Sequence, residues 1–202
     1  MSVYFTSDLH LGHDRDFVWG KRGFSNINEH DRVVMANINA TVHESDTLYI
    51  LGDLLFGDVE DKDTADYYKR LVRFKCKDVR LIIGNHDSHK RLDFYKNELG
   101  INVVGFADLV CIGKQQYYLS HYPTLTSNGP LKGSLLKEVV NLYGHTHQEE
   151  EFLSVNDEEI PLSFHVGLDS NGLAPVEIGK IREAVREKYE SLVRDQEEEM
   201  SK

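Results

Sequence analysis

An α/β layered fold is predicted by three features of this 202-residue chain. Six short apolar runs have the length and composition of buried strands. In the first half of the chain, longer segments with helical spacing separate those runs. The second half holds strand-like runs with little helix between them, so one sheet is expected to be wrapped by crossover helices and the rest to be richer in strands.

The first run, "VYFTS", leads straight into "TSDLHLGH", with Asp8, His10 and His13 close behind a strand. A helix is expected over Asn28–Val42, because Ile27, Val34, Ile38 and Val42 share one stripe. The strand "TLYIL" follows. A second helix is expected from about Thr64 to Cys76, with Tyr67, Leu71 and Phe74 on one face. After the strand "VRLIIG", Ser88 is a good N-cap for a third helix that stops at Gly100. The strands "QYYLS", "VVNLYG" and "LSFHVG" come next. From Val176 the pattern turns helical again: Ile178, Ile181, Val185, Tyr189 and Leu192 form an apolar stripe that runs out into the acidic tail "DQEEEMSK".

Bulk properties narrow the function classes. The formal charge of −11 argues against general nucleic-acid binding, which needs clustered Lys and Arg. No apolar window approaches a membrane span, and Ser2–Thr6 reads as a first strand rather than a leader. Cys76 and Cys111 lack metal-ligand spacing and read as reduced thiols, which points to the cytoplasm.

The chemistry collects at strand ends. Asp8 and His10 follow the first strand, and Gly52-Asp53 follows "TLYIL". Gly84-Asn85-His86-Asp87 follows "VRLII", His121 follows "QYYLS", and Gly144-His145-Thr146-His147 follows "VVNLY". In layered α/β folds sites form beyond the carboxyl ends of strands, so these five ends can converge. Taken singly each has a plainer reading: Gly-Asp is commonly a turn, and one histidine at a strand end is commonly hydrogen-bonded there. Together they hold five of the ten histidines, which chance scattering does not explain.

Apart from His86, the set offers two carboxylates, one carboxamide oxygen and four imidazoles. That exceeds one tetrahedral zinc and suits two divalent ions, with the carboxylate of Asp53 as the natural bridge. The absence of thiolate favours Mn²⁺, with Fe, Zn²⁺ or Ni²⁺ as alternatives, and so many imidazoles disfavour Mg²⁺. His13 and Arg15 sit on the first loop, where they could contact a substrate phosphate or simply be solvated. His30, His43 and His89 fall on helices or caps and are expected at the surface.

In order, "DLH", "GD", "GNHD", "H" and "GHTH" resemble the motif series of the calcineurin-like metallophosphoesterase superfamily, with all five blocks complete from Asp8 to His147. "FTSDLHLGH" and "HVGLDSNGLAPVEIGKI" further resemble a compact bacterial and phage branch, extending the likeness to about Ile181. The resemblance implies an αββα sandwich of two facing mixed sheets flanked by helices. It makes residues 1–180 the metallophosphoesterase domain, with the helix and tail of 181–202 part of the same domain. It also implies that Asp8, His10, Asp53 and His147 hold one metal and that Asp53, Asn85, His121 and His145 hold the second. His86 would be the general acid, with Asp87 orienting its ring. The mechanism so implied is attack by a metal-bridging hydroxide on a phosphoester, with His86 protonating the leaving group.

The sequence departs from named branches. "GDLLFG" lacks the Asp-Arg-Gly continuation of the protein serine/threonine phosphatases, "GNHD" replaces their GNHE, and lipid-A-pathway diphosphatases show Arg where His86 stands. The expectation is therefore a hydrolase of small phosphoesters, in particular phosphodiesters. A metal-dependent nuclease or nucleotide phosphatase is the alternative, and a non-catalytic scaffold like the retromer subunit of this fold is disfavoured by the complete ligand set. No stable nucleic-acid complex and no membrane partner are expected, and the sequence admits a homodimer.

Overall fold

Parallel pairing of the first four strands sets the frame. In a computed structural model, which describes residues 1–126, 133–155 and 158–200, β1 (Val3–Thr6), β2 (Thr47–Leu51), β3 (Asp78–Ile82) and β4 (Asn102–Gly105) run side by side in chain order. The short β10 (Val176–Glu177) closes this sheet antiparallel to β1. The crossovers are α2 (Ile27–Thr41), α3 (Lys62–Leu71) and α4 (His89–Asn97), while α1 (Asp16–Trp19) is a single turn on the first loop. The second sheet has the order β5-β6-β7-β9-β8: β5 (Ala107–Ile112), β6 (Gln115–Ser120), β7 (Val139–Tyr143), β9 (Glu158–His165) and β8 (Phe152–Val155). Here β6, β7 and β9 are parallel and the two edges antiparallel. The chain is thus two five-stranded mixed sheets flanked by helices, as expected.

Alternation along β2 divides the core. Leu48 and Ile50 face Val34, Met35, Ile38, Tyr68 and Tyr95 of the crossover helices, whereas Tyr49 and Leu51 join Phe5, Leu119, Leu142 and Phe164 between the sheets. The final helix α5 (Ile178–Met200) buries Ile181, Val185 and Tyr189 in this second cluster, on the stripe its sequence predicts. Residues 201–202, the end of the acidic tail, lie outside the described residues.

Three expectations are corrected. Helix α3 ends at Leu71 rather than near Cys76, because Asn39 holds Arg73 and Lys75 by their backbone groups in an extended path. The segment from Val176 begins as a two-residue strand before turning helical at Ile178. His30 is fully buried, not at the surface: it lies against Asp31 and the guanidinium of Arg22, partners that offset the cost of burying an imidazole. Strands β4, β5 and β8 escape the apolar-run criterion because they are edge or near-edge strands with one face exposed.

Candidate metal centre

All five strand-end segments meet at one edge of the two sheets. Asp8 and His10 leave β1, Asp53 leaves β2, Asn85 and His86 leave β3, His121 leaves β6, and His145 and His147 leave β7. Asp8, His10, Asp53, His145 and His147 all have left-handed backbone, with φ of 58°, 48°, 58°, 69° and 50°. For residues with a Cβ that conformation costs about 1–3 kcal/mol each, and it persists where surrounding structure over-determines it. The glycines before Asp53, Asn85 and His145 answer a different need. A Cβ on Gly84 would come 2.2 Å from Asp53 Oδ1, one on Gly144 would come 1.8 Å from Ser7 Oγ, and one on Gly52 would come 2.5 Å from His121 Nδ1. Backbone packs directly behind the donors.

The donors fall into two overlapping groups around Asp53. On one side, Nε2 of His10 and Nε2 of His147 face each other at 3.1 Å, and Asp8 Oδ1 lies 3.9 and 3.7 Å from them. On the other, Asn85 Oδ1 lies 2.8 Å from His121 Nε2 and 2.9 Å from His145 Nδ1. Asp53 Oδ2 stands between, 3.7 Å from His10 Nε2 and 3.5 Å from His121 Nε2. His121 Nδ1 donates to the Leu51 carbonyl at 2.8 Å, which leaves its Nε2 lone pair aimed into the cluster.

The residues fit divalent cations. Asp8 is fully buried; its Oδ2 accepts from Ser7 Oγ and the His145 amide, but Oδ1 has no hydrogen-bond partner among the described residues. A buried carboxylate oxygen without a hydrogen bond, opposite two imidazole nitrogens, is costly unless a cation completes it. Burial, aided by His147, holds His10 far below the usual imidazole range, the neutral state a ligand needs. Burial also lowers His145. It raises the Asp53 carboxyl, an effect that His121 and the His86 amide counter only in part.

His86 lies half-buried at the rim, its ring centroid 5.3 Å from those of His10 and Phe56, and its amide donates to Asp53 Oδ1 at 2.9 Å. Asp87 is placed differently from the expectation. Its carboxylate accepts from the amides of Asp53 and Gly84 at 2.9 Å, from Leu54 at 3.3 Å and from the Tyr95 hydroxyl at 2.9 Å. Among the described residues no hydrogen bond joins it to the His86 ring. Asp87 therefore shapes the loop that carries Asp53.

His13 lines the cavity beside the donors: it is buried, stacked flat on Phe56 at 3.5 Å, with Nδ1 3.3 Å from Nδ1 of His10, and burial pushes it down to about 4. Arg15 is exposed just before α1, outside the lining of the cavity. That cavity, of about 360 Å³, is lined by five of the donors, His10, Asp53, Asn85, His145 and His147, together with Phe17, Lys21 and Arg22. A larger one of about 710 Å³ between α5 and the β5–β6 turn contains none of the donors, so chemistry rather than volume marks the site. Sequence reading does not reach Asp169 or Arg22, which pack behind His147. The strand-end rule, extended to the strand "LSFHVG", points to Asp169; nothing local marks Arg22.

A calcineurin-like phosphoesterase family model matches residues 1–174. The chain is 32% identical over 85 residues to the uncharacterized protein MJ1445 of Methanocaldococcus jannaschii, a match covering 42% of this chain and 46%, about half, of that one. It is 27% identical over 191 residues to the gene 66 protein of Mycobacterium phage L5, covering 85% of this chain and 88% of the relative. Among solved structures, the protein of unknown function AQ665 from Aquifex aeolicus shares the fold with a TM-score of 0.64 and 20% identity, over 90% of this chain and 98% of that one.

Proposed function

Since this chain belongs to the calcineurin-like phosphoesterase family and is a metallophosphoesterase, we propose that it hydrolyses small phosphoesters, phosphodiesters in particular, at a site for two divalent cations. The observation that carries this reading is the position of Asp53 Oδ2 between His10 and His121, one from each donor group. Asp8, His10, Asp53 and His147 would hold one cation and Asp53, Asn85, His121 and His145 the other. The oxygen-and-imidazole set favours Mn²⁺, with Fe, Zn²⁺ or Ni²⁺ as alternatives. When bound, the cations neutralise phosphoryl oxygens and acidify the attacking water.

The chain's own residues supply the remainder. Asp53 is held by three amides through Asp87 and by the His86 amide, so the shared carboxylate cannot swing away. His86, at the rim, delivers a proton to the leaving oxygen. His13 backs His10 through the contact between their Nδ1 atoms. A cavity of about 360 Å³ fits a small ester, and the charge of −11 opposes a polyanion laid along the surface. The same reading keeps the cytoplasmic setting expected from the free thiols of Cys76 and Cys111.

The test is metal content by elemental analysis, followed by kcat/KM for an aryl phosphodiester, its monoester and single-stranded DNA at two salt concentrations, with and without chelator. Diester hydrolysis lost on chelation and restored by Mn²⁺ is expected. No hydrolysis of any ester by the loaded protein would overturn the activity. A DNA preference that falls steeply with salt would overturn the size claim, and a strong monoester preference would overturn the diester part.

A further inference from the structure

Behind His147 lies a buried ion pair that the reaction itself does not use. Asp169 comes from the turn after β9 and Arg22 from the loop after α1, and their side chains are 6% and 3% exposed. The fork is bidentate: Arg22 Nε lies 2.9 Å from Asp169 Oδ1 and Nη2 lies 2.9 Å from Oδ2. The same Oδ2 lies 3.0 Å from His147 Nδ1. In the neutral ring the proton belongs on Nδ1, the nitrogen within hydrogen-bond distance of Asp169, which frees the lone pair of Nε2, the atom that faces His10 Nε2 and Asp8 Oδ1.

The other donors of Arg22 reach the first loop. Nη2 donates to the Asp8 carbonyl at 2.8 Å, and Nη1 donates to the Leu9 carbonyl at 3.4 Å and to His30 Nε2 at 3.0 Å. His30 Nδ1 in turn lies 2.8 Å from Asp31 Oδ1, and Asp31 Oδ2 accepts the Gly12 amide at 2.9 Å. One guanidinium thus holds the left-handed carbonyl of Asp8, reaches the far end of that loop through His30 and Asp31, and clamps the carboxylate that orients His147. Resting on the binuclear reading above, we propose that Asp169 and Arg22 are a positioning pair that sets His147 and Asp8 in the geometry of one cation site.

The physical case is that a buried Arg–Asp pair is a weak source of stability, since desolvating both charges offsets most of their attraction. What such a pair supplies here is direction: a planar fork fixes two acceptors at once, which a flexible ammonium cannot. It also joins loops that the fold brings from opposite sheets, Asp8 from β1 and His147 from β7, which are 139 positions apart in the chain. Carboxylate partners that orient ligand histidines typically change metal affinity by about 10–100-fold when removed.

The experiment uses the full chain. In zinc-loaded wild type, long-range ¹H–¹⁵N correlation of the histidine rings should show His147 protonated at Nδ1 and coordinated through Nε2. Calorimetric Zn²⁺ titration of Asp169→Asn and Arg22→Lys should show one of two sites weakened by about 10–100-fold and the other close to wild type. Apo melting curves and circular dichroism establish that the variants fold. Coordination of His147 through Nδ1 in the wild type would overturn the inference without need of any variant. Folded variants with both affinities within about twofold of wild type would also overturn it, while leaving the metal centre intact. A wild type that binds no divalent ion would overturn the metal centre and this pair together.

Discussion

The carboxylate of Asp87 accepts the backbone amide of Asp53 at 2.9 Å, so the residue next to the candidate acid serves the candidate bridge. Tyr95, buried on α4, donates its hydroxyl to the same carboxylate and accepts the Leu55 amide. Asp87→Asn converts one acceptor oxygen into a donor facing amide hydrogens. It should weaken binding of both ions and lower turnover equally for esters with good and poor leaving groups. A loss confined to poor leaving groups, with metal content unchanged, would return Asp87 to the role of orienting His86.

Asp53→Asn should be the most damaging ligand change, because Oδ2 serves both donor groups. Elemental analysis should find fewer than one ion per chain, whereas His147→Ala and Asn85→Ala should each retain one. Two ions and near-normal turnover in Asp53→Asn would exclude it as the shared ligand.

His86→Ala removes a ring that the proposed assignment gives to neither cation, although it lies close enough to His10 and Asp53 to share an ion with them. It should keep both ions and lower kcat by about 10²–10⁴ on esters with poor leaving groups. An aryl ester with an acidic leaving group needs little protonation, so its loss should be much smaller. Equal losses on the two substrates would point to positioning instead.

Gly144→Ala probes the close packing behind the ligands. Its Cβ would meet Ser7 Oγ and Asp8 Oδ2 at 1.8 and 2.5 Å, both backed by buried structure. Overpacking of this kind costs about 1–3 kcal/mol. The melting temperature should fall, and Zn²⁺ affinity should fall with it, because Asp8 must shift. Wild-type values of both would show that the loop has slack.

His165 offers a pH test at a histidine that is not one of the donors. It is fully buried at the end of β9, with Nδ1 2.7 Å from Ser170 Oγ, and burial holds it down to about 4. The folded value lies below the unfolded one, so between about pH 6.5 and 4 the unfolded chain binds the extra proton and stability falls as pH falls. One such group contributes a slope of about 1.4 kcal/mol per pH unit in that window. Denaturant titrations of apo protein at pH 6.5 and 5 should show a smaller drop for His165→Gln than for wild type. An unchanged drop would assign the acid sensitivity elsewhere.

The legibility of this protein follows the range of the interactions involved. Local pattern sufficed for β1, β2, β3, β6 and β7, because buried strands are continuous apolar runs and each ends in polar residues whose identity is visible in the chain. That is why Asp8, His10, Asp53, Asn85, His121, His145 and His147 could be gathered before any fold was known, and His86 beside them. Edge strands such as β5 carried no such signal, having one face exposed. Contacts across the fold were equally silent. His30 reads as a surface residue until Arg22 and Asp31 surround it, Asp87 reads as a partner of its neighbour until the Asp53 amide takes its carboxylate, and Arg22 has no local signature at all. By itself the sequence determined which donors exist and that strand ends present them. Only the tertiary structure decided which oxygen stands between the two groups and which buried charges hold them. Those choices depend on angles between loops far apart in the chain, which no local spacing records.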